Sequence, residues 1–309
     1  MPLSEFSLIH RYFSSLGRGP GVALSVGDDC ALLEPPAGQQ LVTSVDTVVA
    51  GVHFLEDDFP EDVGYRAVVV AASDLAAMGA EPLGMTLALT LPDADELWLH
   101  AFSEGVAQAV TAFRLPLVGG DTTRGPLTIS VQVLGCVPPG DAVLRSGAQP
   151  GDAVYVSGTL GDAAAALALL KGEWQAPAED ARFLAARLYR PPSRLSLGQQ
   201  LRGRASAAID ISDGLVADAG HIAAASGVGI VIDTDALPLS PALQNHPSRE
   251  QALLWALTGG DDYELCYCLP QGITAPGGVC IGRVVSGEGV DCGMQLPGAA
   301  GYRHFEQDT

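Results

Sequence analysis

The chain has 309 residues, 48% hydrophobic and 17% charged, which suits a large core and two domains and excludes a disordered chain. Its net charge of −20, with Lys171 the only lysine, excludes the basic face that nucleic acid requires. No apolar run approaches the ~18 residues of a membrane span, and six cysteines without Cys-x-x-Cys spacing predict free, buried thiols in a cytoplasmic protein.

The N-terminus does not read as a signal peptide. Ser4 is placed to cap a helix with apolar positions Phe6, Ile9, Phe13 and Leu16. Strands are predicted over Val22–Val26 and Leu41–Val45. Pro60, followed by Glu61 and Asp62, opens a helix that runs to Met78 and stops at Gly79. Leu83–Leu91 reads as a central strand. Asp93 is placed to cap a second long helix to Phe113, with Leu97, Phe102, Val106 and Val110 inside. Leu115–Val118 leads into a predicted loop, Gly119-Gly120-Asp121-Thr122-Thr123-Arg124-Gly125, and Thr128–Val137 alternates as a strand. The break at Pro138-Pro139-Gly140 divides the chain into domains 1–138 and 139–309.

In the second half, strand Ala153–Ser157 runs into the turn Gly158-Thr159-Leu160-Gly161-Asp162 and an alanine-rich helix. That arrangement offers backbone N–H groups to phosphate, but the Walker spacing is absent. Helices follow at Ala178–Leu188 and from Ser193 to Leu201. Strand Ala207–Ile211 precedes helix Leu215–Ala225, with Asp213 a possible N-cap and Asp218 on the solvent face. Strand Val228–Ile232, helix Arg249–Leu257, and strands Tyr263–Leu269 and Gly278–Val285 complete the pattern. Cys266 and Cys268 would share one face and read as core. Strands and helices alternate throughout, so the class is α/β or α+β.

Aspartates recur where apolar runs end. Gly27-Asp28-Asp29 follows the first strand, Asp46 follows Val45, and Asp121 follows two glycines. Asp210 and Asp213 flank Ser212, and Asp261-Asp262 follow Gly259-Gly260. Asp74 stands inside the apolar part of its helix, either as a buried hydrogen-bonded residue or as a metal ligand. Adjacent carboxylates repel unless a cation lies between them. The repetition therefore predicts one shared site for hard divalent cations held through oxygen. An EF-hand is excluded because its ligand spacing is missing.

Six motifs occur in order: Gly-Asp-Asp-Cys-Ala, Ser-Val-Asp-Thr-Val-Val-Ala-Gly-Val-His-Phe, Ser-Asp-Leu-Ala-Ala-Met-Gly-Ala, Gly-Gly-Asp-Thr-Thr, Ile-Asp-Ile-Ser-Asp-Gly-Leu and Gly-Gly-Asp-Asp-Tyr-Glu-Leu. With them the chain resembles the thiamine-monophosphate kinases of the aminoimidazole-ribonucleotide-synthetase-like superfamily, nearly end to end. The resemblance implies a PurM-like two-domain fold: an N-terminal domain whose strands build a dimer-spanning β-barrel, and a C-terminal α/β domain. It implies a homodimer that uses ATP and several Mg²⁺ ions to phosphorylate thiamine monophosphate; the acceptor phosphate, with a second pKa of ~6, is already largely ionised at neutral pH, so no residue need act as general base. By motif position Asp29, Ser44, Val45 (through its carbonyl), Asp46, Asp74, Asp121, Asp210 and Asp213 would hold metal. Gly120, Asp121, Arg145 and Ser212 would contact ATP, and His53, Asp261 and Tyr302 the thiamine monophosphate. Asp261 stands where the family usually has Glu, one methylene longer. A sister synthetase acting on another nucleophile is the alternative. Its selenophosphate form is disfavoured, because no cysteine precedes Cys30 to act as a catalytic thiol.

Overall fold

The computed structural model describes residues 5–296, and the chain divides into two compact units. The first comprises the chain up to Leu75 together with Gly79–Ala142; the second comprises Ala76–Met78 and the chain from Val143 onward.

The first unit contains α1 (Glu5–Tyr12), the short pair β1 (Val22–Leu24) and β2 (Leu32–Leu33), β3 (Gln40–Val49), α2 (Pro60–Ala77), β4 (Glu81–Leu91), α3 (Glu96–Phe113), β5 (Leu117–Arg124) and β6 (Thr128–Val137). Four strands form one sheet in the order β3-β6-β4-β5, with β4 and β5 parallel and the other pairs antiparallel. Strand alternation splits the sheet into unlike faces. Met85, Leu87, Leu89, Ile129, Val131 and Val133 are buried, while Leu41 and Val45 are 59% and 62% exposed. The open face carries a side-chain ladder, in which Thr47 meets Ser130 at 2.7 Å and Thr90 meets Thr123 at 3.0 Å.

Two glycines set the crossing of α2 and α3. A Cβ on Gly64 would strike the Phe102 carbonyl, and one on Gly105 would strike the Glu61 carbonyl. The backbones touch there, so helix propensity is sacrificed for close approach. Gly105→Ala is expected to cost about 1–3 kcal/mol through overpacking, despite the better helix former. A lower denaturant midpoint with an unchanged slope would record it.

Several boundaries differ from the sequence reading. The N-terminal helix ends at Tyr12 and continues as a 3₁₀ turn over Ser14–Leu16; it packs through Leu8, Tyr12 and Phe13, whereas Phe6 is 80% exposed. Ser4 lies outside the described residues. Asp95, not Asp93, caps α3, accepting from the Leu97 and Trp98 N–H groups, and Leu97 is exposed. Asp46 does not end its strand: β3 continues to Val49, with Asp46 opposite Val131. Gly119-Gly120-Asp121-Thr122-Thr123 is strand, not loop. Its register against β4 explains the glycine, since a Cβ at 120 would collide with the Leu87 carbonyl.

The second unit contains β7 (Ala153–Val156), α4 (Asp162–Leu170), α5 (Ala178–Tyr189), α6 (Leu195–Leu201), β8 (Ala207–Asp210), α7 (Leu215–Ser226), β9 (Gly229–Ile232), α8 (Pro241–Gln244), α9 (Arg249–Thr258), β10 (Leu265–Leu269), β11 (Val279–Val285) and β12 (Gly289–Asp291). Its sheet runs β12-β9-β11-β7-β10-β8, antiparallel except for β12 with β9. Strand β10 is buried on both faces: Cys266 and Cys268 lie in the core, and Tyr267 stacks on Tyr155 with ring centroids 5.4 Å apart. Burial pushes the Cys268 thiol up to about 12, which suits an inert core residue. All six cysteines are free, but Cys30 and Cys280 are exposed, so the expectation of uniform burial fails for two of them. Among the described residues no helix is long and apolar enough to cross a membrane.

Candidate functional site

In the first unit, the loop between β1 and β2 and the strand β5 border one cavity of about 660 Å³. Asp28 and Asp29 line it from the loop, Gly119, Gly120 and Asp121 from the strand, and α1 closes another side. Three carboxylates thus border a single space, two of them distant in sequence from the third. All three are exposed. Asp28 accepts from the Asp29 N–H at 2.8 Å, which fixes the turn that presents them.

A second group of predicted ligands meets where β3 faces α2. The Ser44 hydroxyl donates to Asp74 Oδ2 in a short hydrogen bond. Asp46 lies two residues further along β3, on the same face as Ser44, while Val45 points to the open face. His53 follows in the turn after β3, where its Nδ1 accepts from the Val49 N–H at 3.1 Å. Among the described residues no three His, Cys, Asp or Glu side chains stand close enough to hold a metal by themselves.

In the second unit, strand pairing brings two of the predicted motifs together. Beyond the ends of β8 and β10, the Ile211 N–H donates to the Glu264 carbonyl at 2.7 Å, the Tyr263 N–H to the Ile211 carbonyl at 2.9 Å, and the Asp261 N–H to the Ser212 carbonyl at 2.9 Å. Ser212 and Asp261 are therefore neighbours. Gly260 makes room for this, since a Cβ there would strike the Ser212 carbonyl. Asp261 and Tyr263 both adopt left-handed backbone, φ 64° and 49°, and the Tyr263 hydroxyl donates to Asp261 Oδ1 at 2.9 Å. Left-handed backbone at residues other than glycine concentrates at functional sites. Asp210 closes β8, buried opposite Leu265.

The roles expected for Asp213 and Asp218 are exchanged. Asp213 does not cap α7. Asp218 is buried rather than solvent-facing, and its Oδ2 accepts from the N–H groups of Ser212, Asp213 and Gly214, each at 3.1 Å. Burial, with the nearby Asp213 charge, raises the Asp218 carboxyl to about 7 against the pull of those three N–H groups. Asp218 thus fixes the turn that displays Ser212 and Asp213. Arg145 is exposed in the loop before β7, and its carbonyl accepts from the Ser226 hydroxyl at 3.2 Å. Tyr302 lies outside the described residues.

The glycine turn before α4 is not a phosphate cradle. The Gly161 N–H is taken by Asp262 Oδ2 at 2.8 Å, and Asp162 is fully buried, accepting from Thr159 at 2.6 Å and Ser240 at 2.5 Å. Carboxylates already stand where an anion would bind. Burial raises the Asp162 and Asp262 carboxyls, Asp262 strongly. Beside them the buried Glu264 is held by Arg187 at 2.8 Å, by Arg194 at 2.5 Å and by the Ser157 hydroxyl. Burial disfavours the Arg187 charge, but Glu264 outweighs it and raises its pKa. This cluster was missed from sequence. Its signal was available: Glu264 interrupts an apolar run, as Asp74 does.

Comparisons with known proteins identify this architecture. The N-terminal domain of AIR synthase related protein matches residues 27–137, and the C-terminal domain of the same family matches 149–272. Thiamine-monophosphate kinase of Escherichia coli (strain K12) is 53% identical over 273 residues, covering 88% of this chain and 84% of that protein. The crystal structure of thiamine-monophosphate kinase from Stenotrophomonas maltophilia K279a superposes with a TM-score of 0.87 at 44% identity, covering 94% of this chain and 97% of the other. A structure of AaThiL complexed with AMPPCP and TMP superposes with a TM-score of 0.81 at 36% identity, covering 99% of both chains. With a PurM-like two-domain fold and this identity across most of its length, the chain belongs to the thiamine-monophosphate kinase family.

Proposed function

We infer that the chain transfers the γ-phosphoryl group of ATP to thiamine monophosphate, giving thiamine diphosphate and ADP. The observation that carries this is its likeness, over 99% of both chains, to a family member solved with AMPPCP, read as a stand-in for ATP, and TMP, read as thiamine monophosphate. The acceptor chemistry agrees. The nucleophile is a phosphate-monoester oxygen, whose second pKa of ~6 leaves it largely ionised at neutral pH. No general base is required, so the chain's task is to align two polyanions and offset their repulsion. Two unit charges ~4 Å apart repel by roughly 4 kcal/mol at an effective dielectric of ~20.

The donor set fits Mg²⁺. It consists of carboxylates, one hydroxyl and one backbone carbonyl, all hard oxygen, and Mg²⁺ is held by one or two carboxylates with water and substrate phosphates completing its shell. Asp29 and Asp121 would hold it at the cavity, with Ser44, the Val45 carbonyl, Asp46 and Asp74 at the β3–α2 contact, and Asp210 and Asp213 in the second unit. Bound there, Mg²⁺ supplies charge neutralisation at the phosphates. Gly120, Asp121, Arg145 and Ser212 would contact ATP. His53, Asp261 and Tyr302 would contact thiamine monophosphate, Asp261 reaching one methylene less far than glutamate. The open face of the first unit's sheet, with Leu41 and Val45 exposed, would pair with a second copy as a homodimer and close the barrel. Six free thiols accord with a cytoplasmic setting.

Purified protein with Mg²⁺, ATP and thiamine monophosphate is expected to form ADP and thiamine diphosphate in equal amounts. No product from metal-replete protein, or faster turnover of another acceptor in a substrate panel, would overturn the reading.

A further inference from the structure

Two residues of the segment between α9 and β10 hold a backbone conformation that their type disfavours. Asp261 and Tyr263 are left-handed, at φ 64° and 49°; among the described residues only Arg114, which ends α3, shares this without being glycine. For a side chain as bulky as tyrosine such a φ is a genuine outlier, whereas glycine adopts it without strain. Gly259 and Gly260 stand beside them, yet neither is left-handed; a Cβ at either would strike a carbonyl, that of Trp255 or of Ser212. The strain is thus kept at the two positions whose side chains bond each other, the Tyr263 hydroxyl donating to Asp261 Oδ1 at 2.9 Å.

The surroundings hold the segment in place, as retained strain requires. The Asp261 and Tyr263 N–H groups donate to the Ser212 and Ile211 carbonyls, both at 2.9 Å. The intervening Asp262 is buried and its Oδ2 accepts from the Gly161 N–H, while Glu264 grips Arg187 and Arg194. Asp262 and Glu264 therefore serve the fold, and the Asp261–Tyr263 pair is left to explain. Tyr263 is 7% exposed, whereas Asp261 is half-buried. A buried phenol bonded to a partly exposed carboxylate sets which way that carboxylate faces. We propose that Tyr263 is a positioning residue for the acceptor, its hydroxyl holding the Asp261 carboxylate in the orientation that meets thiamine monophosphate. This rests on the reading of Asp261 as a contact of that substrate, whose cationic ring and amino group are both partners for a carboxylate. A carboxylate oriented beforehand loses less rotamer freedom on binding.

The test is Tyr263→Phe in the full chain, which removes one oxygen and keeps the ring in the core. Calorimetric titration with thiamine monophosphate and Mg²⁺ requires no turnover. The Kd is expected to rise about tenfold, the scale of losing one hydrogen bond to a charged group. In the steady state KM for thiamine monophosphate is expected to rise equally, with KM for ATP within about twofold of the parent. A purely structural role would lower the melting temperature without that split. Asp261→Gly, which suits φ 64°, isolates the route: in that background Tyr263→Phe is expected to change the Kd by less than about twofold. Equal affinities of parent and Tyr263→Phe, equal rises in both KM values, or the full loss persisting in the Asp261→Gly background would overturn the proposal. An Asp261→Gly protein that binds thiamine monophosphate as tightly as the parent, or a parent that does not bind it, would overturn the proposal and the Asp261 contact together. A parent that binds thiamine monophosphate but forms no thiamine diphosphate would overturn the kinase reading alone, and the affinities would still decide the role of Tyr263.

Discussion

Asp74→Asn is expected to lower turnover on the order of 10³-fold, the scale of losing one group that stabilises transition-state charge, while the protein folds as before. Asparagine keeps the volume and keeps an oxygen to accept the Ser44 hydroxyl, so the packing of α2 against β3 survives. What disappears is the negative charge, which offsets the charge of a bound cation and strengthens its hold. The neighbours sharpen the separation of fold from activity. Ser73, Leu75 and Ala76 are buried, whereas Asp74 itself is only half-buried and meets the Ser44 hydroxyl. Ser44→Ala removes the hydroxyl that orients the carboxylate without removing its charge, and its expected loss is smaller. Circular dichroism with a thiamine diphosphate assay at ordinary Mg²⁺ distinguishes the cases. Parental activity in Asp74→Asn would remove Asp74 from the essential ligands.

How far the sequence disclosed this site depends on the element. Long strands with strict alternation, such as Thr128–Val137, were legible to the residue, because one buried face imposes the period. Asp74 stands out in the sequence because a carboxylate inside an apolar helix must be explained, and the structure gives it the Ser44 hydroxyl as partner. The Gly119–Asp121 segment was misread as a loop, since glycine pairs signal turns locally, whereas here Gly120 admits the backbone of a neighbouring strand. The Asp213–Asp218 exchange was illegible for a similar reason. Which aspartate caps a turn depends on where α7 is packed, and helical spacing alone does not give that. The meeting of Ser212 with Asp261 is tertiary, made by pairing beyond the ends of two strands that the sequence placed far apart.

The Glu264 cluster yields the largest expected change in stability. Glu264 is fully buried and grips two guanidinium groups, Arg187 at 13% and Arg194 at 26% side-chain exposure. Breaking a buried pair from one side leaves the partner's charge uncompensated, at a cost of about 3–5 kcal/mol. Glu264→Gln preserves shape but removes the shared counter-charge. Arg187 then retains Asp162 at 3.4 Å, a carboxyl whose own pKa is already raised by burial, so the compensation is partial. At about 2–4 °C per kcal/mol for a domain of this size, melting falls by about 10 °C. The site should feel the loss as well. The Glu264 carbonyl accepts from Ile211, one residue before Ser212, and Glu264 lies three residues after Asp261, so holding this one residue in place steadies both segments expected to touch substrate. Arg194→Met, at the more exposed end, is expected to cost less than Glu264→Gln. A melting temperature for Glu264→Gln within 2 °C of the parent, a shift of less than about 1 kcal/mol, would show that the cluster does not hold the second unit together.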